Sequence, residues 1–310
     1  MPLVSICIPV YKQTQYLKNC IESILIQDFT DYELIFTDDT PDDSLEIFIS
    51  NLLNNKSYFY HRNISSLGSP QNWNASINKA TGKYIKLLHH DDFFTQPNSL
   101  RLMIEKMEAD DADFLFCATD VWHLKTNEHR FYSVSKKQTN ILKYNSNFLF
   151  FKNLIGAPSA TIHKNIGLNY DKRFIWLVDV EFYIRFFTST AKIVNLNKPL
   201  ISTSHEGEGQ VTGSIENDKL IQIKEHVLLF NLITPKKIKP YTVFFDHLFF
   251  NYKVYCYEEL LKIVPEASEN EKFFKNVLFQ LTKNRRLKYL KKRFYESRYN
   301  NYLFKLEQFV

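Results

Sequence analysis

Two adjacent acidic pairs, Asp38-Asp39 and Asp91-Asp92, each close a short strand-like run, Tyr32 to Thr37 and Tyr84 to Leu88. In an open α/β sheet, ligands sit beyond the carboxyl ends of the strands. Carboxylates converging there make an oxygen-rich site for a hard divalent cation, which in turn holds a diphosphate. The first strand, Leu3 to Val10, runs into Tyr11-Lys12-Gln13 and brings no glycine-rich phosphate loop. The phosphates are therefore expected to be held through metal. Glycine is scarce, 7 residues in 310, and Gly207-Glu208-Gly209 with Gly213 lacks a preceding strand and the spacing of a phosphate loop.

The elements that must carry these acids alternate. Val4 to Val10 is a nearly continuous apolar run, as expected of a strand covered on both faces. Leu17, Cys20, Ile21, Ile24 and Leu25 recur at helical spacing. A second helix is expected from about Leu45 to Leu53, and a short strand over Tyr58 to His61. Ser69-Pro70 reads as N-cap and first helical residue of a helix that Gly82 ends, with Trp73, Ile77 and Ala80 on one face. Pro97 opens another helix, with Leu100, Ile104 and Met107 inward, and Asp113 to Thr119 is a further strand. The pattern implies an α/β fold with a mostly parallel sheet flanked by helices over about residues 1–120. Residues 121–212 are less regular. From about 216 the pattern is helical, with one stripe of Tyr241, Phe244, Phe245, Leu248, Phe249 and Tyr252 and another of Phe274, Val277, Leu278 and Leu281. We expect a domain over 1–212 and a C-terminal helical extension, 213–310, packed on it.

Composition bounds the rest. The hydrophobic fraction, 45%, suits a globular core, and the net charge, +5, says little by itself. Residues 283–294 hold seven basic side chains (Lys283, Arg285, Arg286, Lys288, Lys291, Lys292, Arg293) and no acid. Leu287, Leu290 and Phe294 thread a narrow apolar stripe through them, which suits either peripheral contact with an anionic membrane or the solvated face of a packed helix. No nucleic-acid recognition motif accompanies the cations. Cys7, Cys20, Cys117 and Cys256 are far apart and read as buried, reduced thiols of a cytoplasmic protein. Met1-Pro2 leads straight into a strand, with no signal peptide, and no apolar stretch approaches the ~20 residues that cross a bilayer.

An ordered set of features resembles family 2 of the glycosyltransferases, which have the Rossmann-like GT-A fold: the strand ending Pro9-Val10-Tyr11, Asp38-Asp39 with its Thr-Pro-Asp-Asp-Ser turn, Leu67-Gly68 through Asn72-Trp73-Asn74, Ala80-Thr81-Gly82-Lys83-Tyr84-Ile85, and His89-His90-Asp91-Asp92. The match covers about the first 120 residues well and runs more loosely to about 212. It implies an inverting transfer of sugar from a nucleotide-diphosphate donor, a UDP-sugar at the family level, to a hydroxyl of a glycan or lipid-linked glycan acceptor in surface polysaccharide or glycoconjugate synthesis, with Mg²⁺ or Mn²⁺ as cofactor.

By the same resemblance, Asp38 and Asp39 contact base and ribose, Pro9 and Tyr11 border the base, and Asn72, His90 and Asp91 complete the nucleotide site. The plainer reading is that Asp38-Asp39 starts a turn or caps the next helix, although Asp42 and Ser44 are better placed for capping. Lys12 stands where many members carry asparagine. Asp91 and Asp92 match the end of the DXD metal motif, whose usual leading acid falls at His89; which carboxylate touches metal, and whether His89 or His90 reaches the ribose, stays open. Asp179, in Trp176-Leu177-Val178-Asp179-Val180-Glu181, takes the position of the catalytic base, with Val178 where members carry Glu; a helix N-terminal aspartate facing the dipole is the plain alternative. His205, before the polar Glu206 to Gln210, is a candidate metal ligand or simply an exposed loop histidine. Gly156 to Ala160 resembles the loop under the acceptor and is expected to matter little beyond its turn. A sugar-nucleotide-forming nucleotidyltransferase and a non-catalytic glycan-binding module are the alternatives.

Overall fold

The first strand, β1 (Val4–Val10), is buried along its whole length, as its unbroken apolar run requires. This computed structural model describes residues 1–310 except 13, 55, 190–191, 206–214, 216–217, 236, 291–295, 298, 303–304 and 306–310, and except the side chains of His205, Arg286, Leu287 and Leu290. The chain divides into two compact units, Met1–Lys143 with Leu154–Gln210, and Tyr144–Asn153 with Val211–Val310.

In the first unit, β1 is followed by α1 (Thr14–Leu25), β2 (Tyr32–Asp38), α2 (Ser44–Leu53), β3 (Phe59–Arg62), α3 (Gln71–Ile77), β4 (Tyr84–Leu87), β5 (Phe93–Phe94), α4 (Ser99–Ala109), β6 (Phe114–His123), β7 (Glu128–Tyr132), α5 (Lys136–Tyr144), β8 (Thr161–Lys164), α6 (Val178–Ser189) and β9 (Ile193–His205). The strands form one mixed sheet in the order β3-β2-β1-β4-β8-β6-β9-β5, with β7 paired to β6. β3, β2, β1 and β4 are mutually parallel. β8 runs antiparallel between β4 and β6, while β6 and β9 pair in parallel with register shifts on either side of Ala118.

Leu17, Cys20, Ile21 and Ile24 of α1 are fully buried and share a core with Val4, Ile6, Ile8 and Val10 of β1 and Leu45 and Ile49 of α2. Each such aliphatic side chain contributes about 1.5–3 kcal/mol on burial. The parallel pairing has a direct consequence for the acids. Val10 lies opposite Asp38, and Cys7 opposite both Ile35 and Leu87, so β2 and β4 flank β1 and end at the same edge of the sheet. Two strand spacings separate them, roughly 10 Å.

Some boundaries differ from the sequence reading. The helix expected at Ser69-Pro70 starts at Gln71, with Pro70 at its cap making no side-chain capping bond, and the Ser69-Pro70 bond is cis. The helix expected at Pro97 starts at Ser99. The expected strand over Asp113 to Thr119 extends to His123, and five of its residues, Thr119 to His123, pair with β7.

The second unit holds α7 (Lys219–Ile233), α8 (Lys239–Asn251), α9 (Tyr257–Ile263) and α10 (Glu271–Leu290), with 3-10 turns at Ser146–Phe150 and Pro265–Asn270. Asp218 caps α7 by accepting the Leu220 and Ile221 amides at 2.8 and 3.0 Å. The core is aromatic: Phe230 stacks on Phe273 at 4.4 Å, and Phe150 meets Tyr241 and Phe244 edge-on at 4.8 and 4.9 Å.

Candidate active site

The loop after β2 is held by its own carboxylates. Asp38, fully buried, accepts the Thr40 amide at 2.7 Å through one oxygen and the Tyr60 hydroxyl at 2.7 Å through the other. Burial, then that carboxylate, push the Tyr60 hydroxyl up. Asp39 accepts the side-chain amide of Asn63 at 2.7 Å and the backbone amides of Leu67 and Gly68 at 3.0 and 2.8 Å. Asn72, buried at the start of α3, donates to the Thr37 and Val10 carbonyls at 3.1 and 3.4 Å and accepts from Asn63 at 2.9 Å. One hydrogen-bonded network thus joins Asp39, Asn63 and Asn72 at the ends of β1 and β2. The cap of α2 is Asp43, which makes no side-chain capping bond; Asp42 instead accepts the Ser44 amide at 3.0 Å.

Pro9 lies within buried β1, and Tyr11, just beyond it, is 44% exposed. Lys12 has φ 58°, the left-handed region in which asparagine is favoured over other side chains. This gives a backbone reason for asparagine at that position in the resembled family. The Lys12 amide is bonded to the Thr40 hydroxyl at 2.9 Å, which ties the loop after β1 to the loop after β2.

The loop after β4 gathers the second acidic cluster. His89, Asp91 and Asp92 offer ligand atoms that all lie within 4.8 Å of one another. Asp92 is buried and accepts the Ser204 amide at 3.1 Å, and Asp91 accepts the Ser204 hydroxyl at 3.0 Å. Burial, then the charge on Asp91, push the Asp92 carboxyl well above the usual carboxylate range. His89 packs on Trp73 with ring centroids 4.6 Å apart, and its Nε2 is buried without a hydrogen-bond partner among the described residues. Burial holds its imidazole down to about 4, so the ring is neutral at pH 7. A neutral imidazole beside two carboxylates, in a setting that disfavours their joint charge, fits a divalent cation.

Two residues that the sequence did not single out support this loop. Ser159, in the 3-10 turn Pro158–Ala160, accepts the His89 amide on its hydroxyl at 3.0 Å. Lys86, fully buried in β4, donates to the carbonyls of Ser159 and Thr161. The turn expected to matter little therefore braces the acidic loop. No local signal marks Lys86 or Ser159: both act through contacts between residues 70 or more positions apart, brought together where β4 pairs with β8.

Asp179 stands in the first turn of α6, half-buried, with its carboxylate accepting the Val180 amide at 2.8 Å. Burial, then the Asp179 charge, push the hydroxyls of Tyr170 and Tyr183 well up. Tyr170 meets Trp73 edge-on at 5.2 Å, so Trp73 touches His89 on one side and Tyr170 on the other. The other acid of that turn, Glu181, is committed to Arg185 in a two-pronged pair at 2.6 and 2.8 Å. His90 is half-buried next to His89. The backbone of His205 ends β9 directly after Ser204, opposite His123; its side chain, and the polar segment Glu206 to Gln210, lie outside the described residues, as do the Leu287, Leu290 and Phe294 stripe and Gly207, Gly209 and Gly213.

A parallel four-strand half-sheet with acids at its carboxyl edge is the arrangement in which α/β sheets bind ligands. Residues 5–164 match the model of glycosyl transferase family 2, and the chain belongs to that family; it is a glycosyltransferase of the GT-A fold. It is 30% identical over 229 residues to an uncharacterized glycosyltransferase of Methanocaldococcus jannaschii, spanning 71% of this chain and 76% of that one. S. aureus TarS in complex with UDP-GlcNAc has a TM-score of 0.59 at 13% identity, covering 92% of this chain and 91% of that one. A mannosyltransferase from Pyrobaculum calidifontis in complex with GDP-Man and Mn²⁺ has a TM-score of 0.54 at 12% identity, covering 98% and 85%. At these identities the two structures bear on the fold alone. No helix among the described residues is long and apolar enough to cross a membrane.

Proposed function

We propose that the chain moves a sugar from a UDP-sugar to a hydroxyl of a glycan acceptor with inversion, in the making of a surface polysaccharide or glycoconjugate. The observation that carries this reading is the shared edge: Asp38-Asp39 and the His89–Asp91–Asp92 cluster end neighbouring strands on either side of β1. In this reading Asp38, Asp39 and Asn72 frame the base and ribose with Pro9 and Tyr11, and His90 and Asp91 border the ribose and diphosphate. Asp91, Asp92 and His89 would hold the cation, with His205, which follows Ser204 in sequence, as a further candidate ligand. When bound, Mg²⁺ or Mn²⁺ offsets the charge that gathers on the departing diphosphate. An imidazole in the donor set leans the choice toward Mn²⁺, since Mg²⁺ favours oxygen ligands alone.

Asp179 takes the proton from the acceptor hydroxyl as that oxygen bonds to the anomeric carbon. The bond from that carbon to the diphosphate breaks on the opposite face, and a single displacement inverts the centre. The Asp179 charge is felt by the buried hydroxyls of Tyr170 and Tyr183, which places all three groups in one neighbourhood. Two proteins of this fold were captured with a sugar nucleotide, TarS with UDP-GlcNAc and the mannosyltransferase with GDP-Man and Mn²⁺, and these ligands are the first to try on this chain. Four free cysteines suit the cytoplasm; Cys7, Cys20 and Cys117 are buried as expected, whereas Cys256, at the start of α9 outside the sheet, is exposed. The test is hydrolysis of a nucleotide-sugar panel with Mn²⁺: we expect UDP release from one UDP-sugar, stopped by chelator. No hydrolysis of any UDP-, GDP- or dTDP-sugar with either cation would overturn the reading.

A further inference from the structure

α10 turns two different sides outward and inward. Phe274, Val277, Leu278 and Leu281 are buried, and Lys288, on the same side, pairs with Asp246 of α8. Arg285 stacks over Tyr255 at 3.9 Å. On the opposite side Lys272, Lys275, Phe279 and Lys283 follow one another at helical spacing, and all four are exposed. Phe279 is 65% exposed and Tyr289, further along, 70%. Lys275 is tied to Glu271; Lys272 and Lys283 flank the phenylalanine one or two turns away. Between Lys272 and Tyr295 the sequence contains no aspartate or glutamate.

Phe279 stands out among lysines, 65% exposed, in a unit that buries Phe230, Phe245, Phe249 and Phe274. We propose that this face of α10 lies on the surface of an anionic lipid bilayer. Phe279 enters the headgroup layer, while the lysines keep their ammonium groups at the lipid phosphates and lay their methylene stems along the apolar boundary. Charge complementarity selects an anionic surface. Lipid fits better than a polynucleotide, which is held in a basic groove with stacking platforms; an exposed helix side is a ridge. The contact is peripheral, because no described helix is fit to span a membrane. The inference stands apart from the transfer chemistry, since none of these side chains belongs to the sugar-nucleotide site.

The experiment is flotation of the full chain with phosphatidylcholine vesicles, with and without phosphatidylglycerol, at low and high salt. We expect binding only to the phosphatidylglycerol vesicles, weakened by salt. A Lys272→Glu/Lys283→Glu double variant should lose at least about tenfold in vesicle affinity, at roughly 1 kcal/mol per basic residue near the surface. Phe279→Ser should lose several-fold with its thermal midpoint unchanged, and Lys18→Glu, an exposed lysine of the other unit, should bind as the parent does. Equal binding to pure phosphatidylcholine, no binding to anionic vesicles, or retention by oligonucleotides in place of vesicles would each overturn the inference. So would a Lys18→Glu loss equal to that of the double variant, because the effect would then be one of net charge.

Discussion

Asp92 accepts the backbone amide of Ser204 at 3.1 Å across 112 positions of sequence, and the same serine gives its hydroxyl to Asp91. The long strand β9 thus pins both acids of the loop after β4. Replacing Ser204 by Ala keeps the amide bond and removes the hydroxyl. We expect Mn²⁺ affinity, read by calorimetry, to fall about tenfold, the usual loss when a group that orients a metal ligand is removed. Unchanged affinity would show that Asp91 needs no such anchor.

Asp179→Asn keeps the shape of the α6 N-terminus and removes the basic oxygen. Transfer to acceptor should fall by about 10²–10⁴-fold, the usual share of a general base. Binding of sugar nucleotide and cation, followed by calorimetry, should stay within a factor of two or so of the parent, about 0.4 kcal/mol. A variant that transfers at the parent rate assigns the base elsewhere.

His89→Asp exchanges an imidazole for the carboxylate that the resembled motif carries. The variant should bind Mg²⁺ relatively better, so that the ratio of Mn²⁺ to Mg²⁺ affinity, measured by competition, drops several-fold. A ratio that stays constant removes His89 from the ligand set and leaves it as a ring packed on Trp73.

Two buried histidines outside the site set a dependence of stability on pH. Burial holds His163 and His226 down to about 4, against about 6.5 for an unfolded histidine. Between those values the unfolded chain binds more protons than the folded one, so stability falls as pH drops through this window and levels off below about 4. At pH 5 each residue costs up to about 2 kcal/mol. The raised Asp92 carboxyl works in the opposite direction, so the comparison belongs between parent and His226→Phe. Urea midpoints at pH 7.5 and pH 5 should differ less in the variant; equal differences would mean that His226 is charged in the folded protein.

Much of the first half of the fold was legible because it is built from local signals. The apolar run of β1 and the spacing of Leu17, Cys20, Ile21 and Ile24 each decide an element by themselves. The acids stood out because carboxylates rarely follow a strand without cause. Gly82 was legible as a break, yet its reason was not: a Cβ there would lie 2.7 Å from the Ser5 amide in β1. Beyond residue 120 the structure depends on partners distant in sequence. The antiparallel insertion of β8, the shift of register around Ala118, and the grouping of Tyr144–Asn153 with the helical unit leave no periodic trace. The same holds for Lys86, Ser159 and Ser204, whose significance lies wholly in what the topology brings beside them.

Asp39 accepts from the Leu67 and Gly68 amides as well as from Asn63, three of the roughly four acceptor positions of a carboxylate. A base or ribose that claims this carboxylate must share it with those two N–H groups. Deuterium uptake at these positions is therefore a native gauge of donor occupancy: amides that are slow in the empty protein should speed up if the ligand displaces them, and slow further if it closes over them.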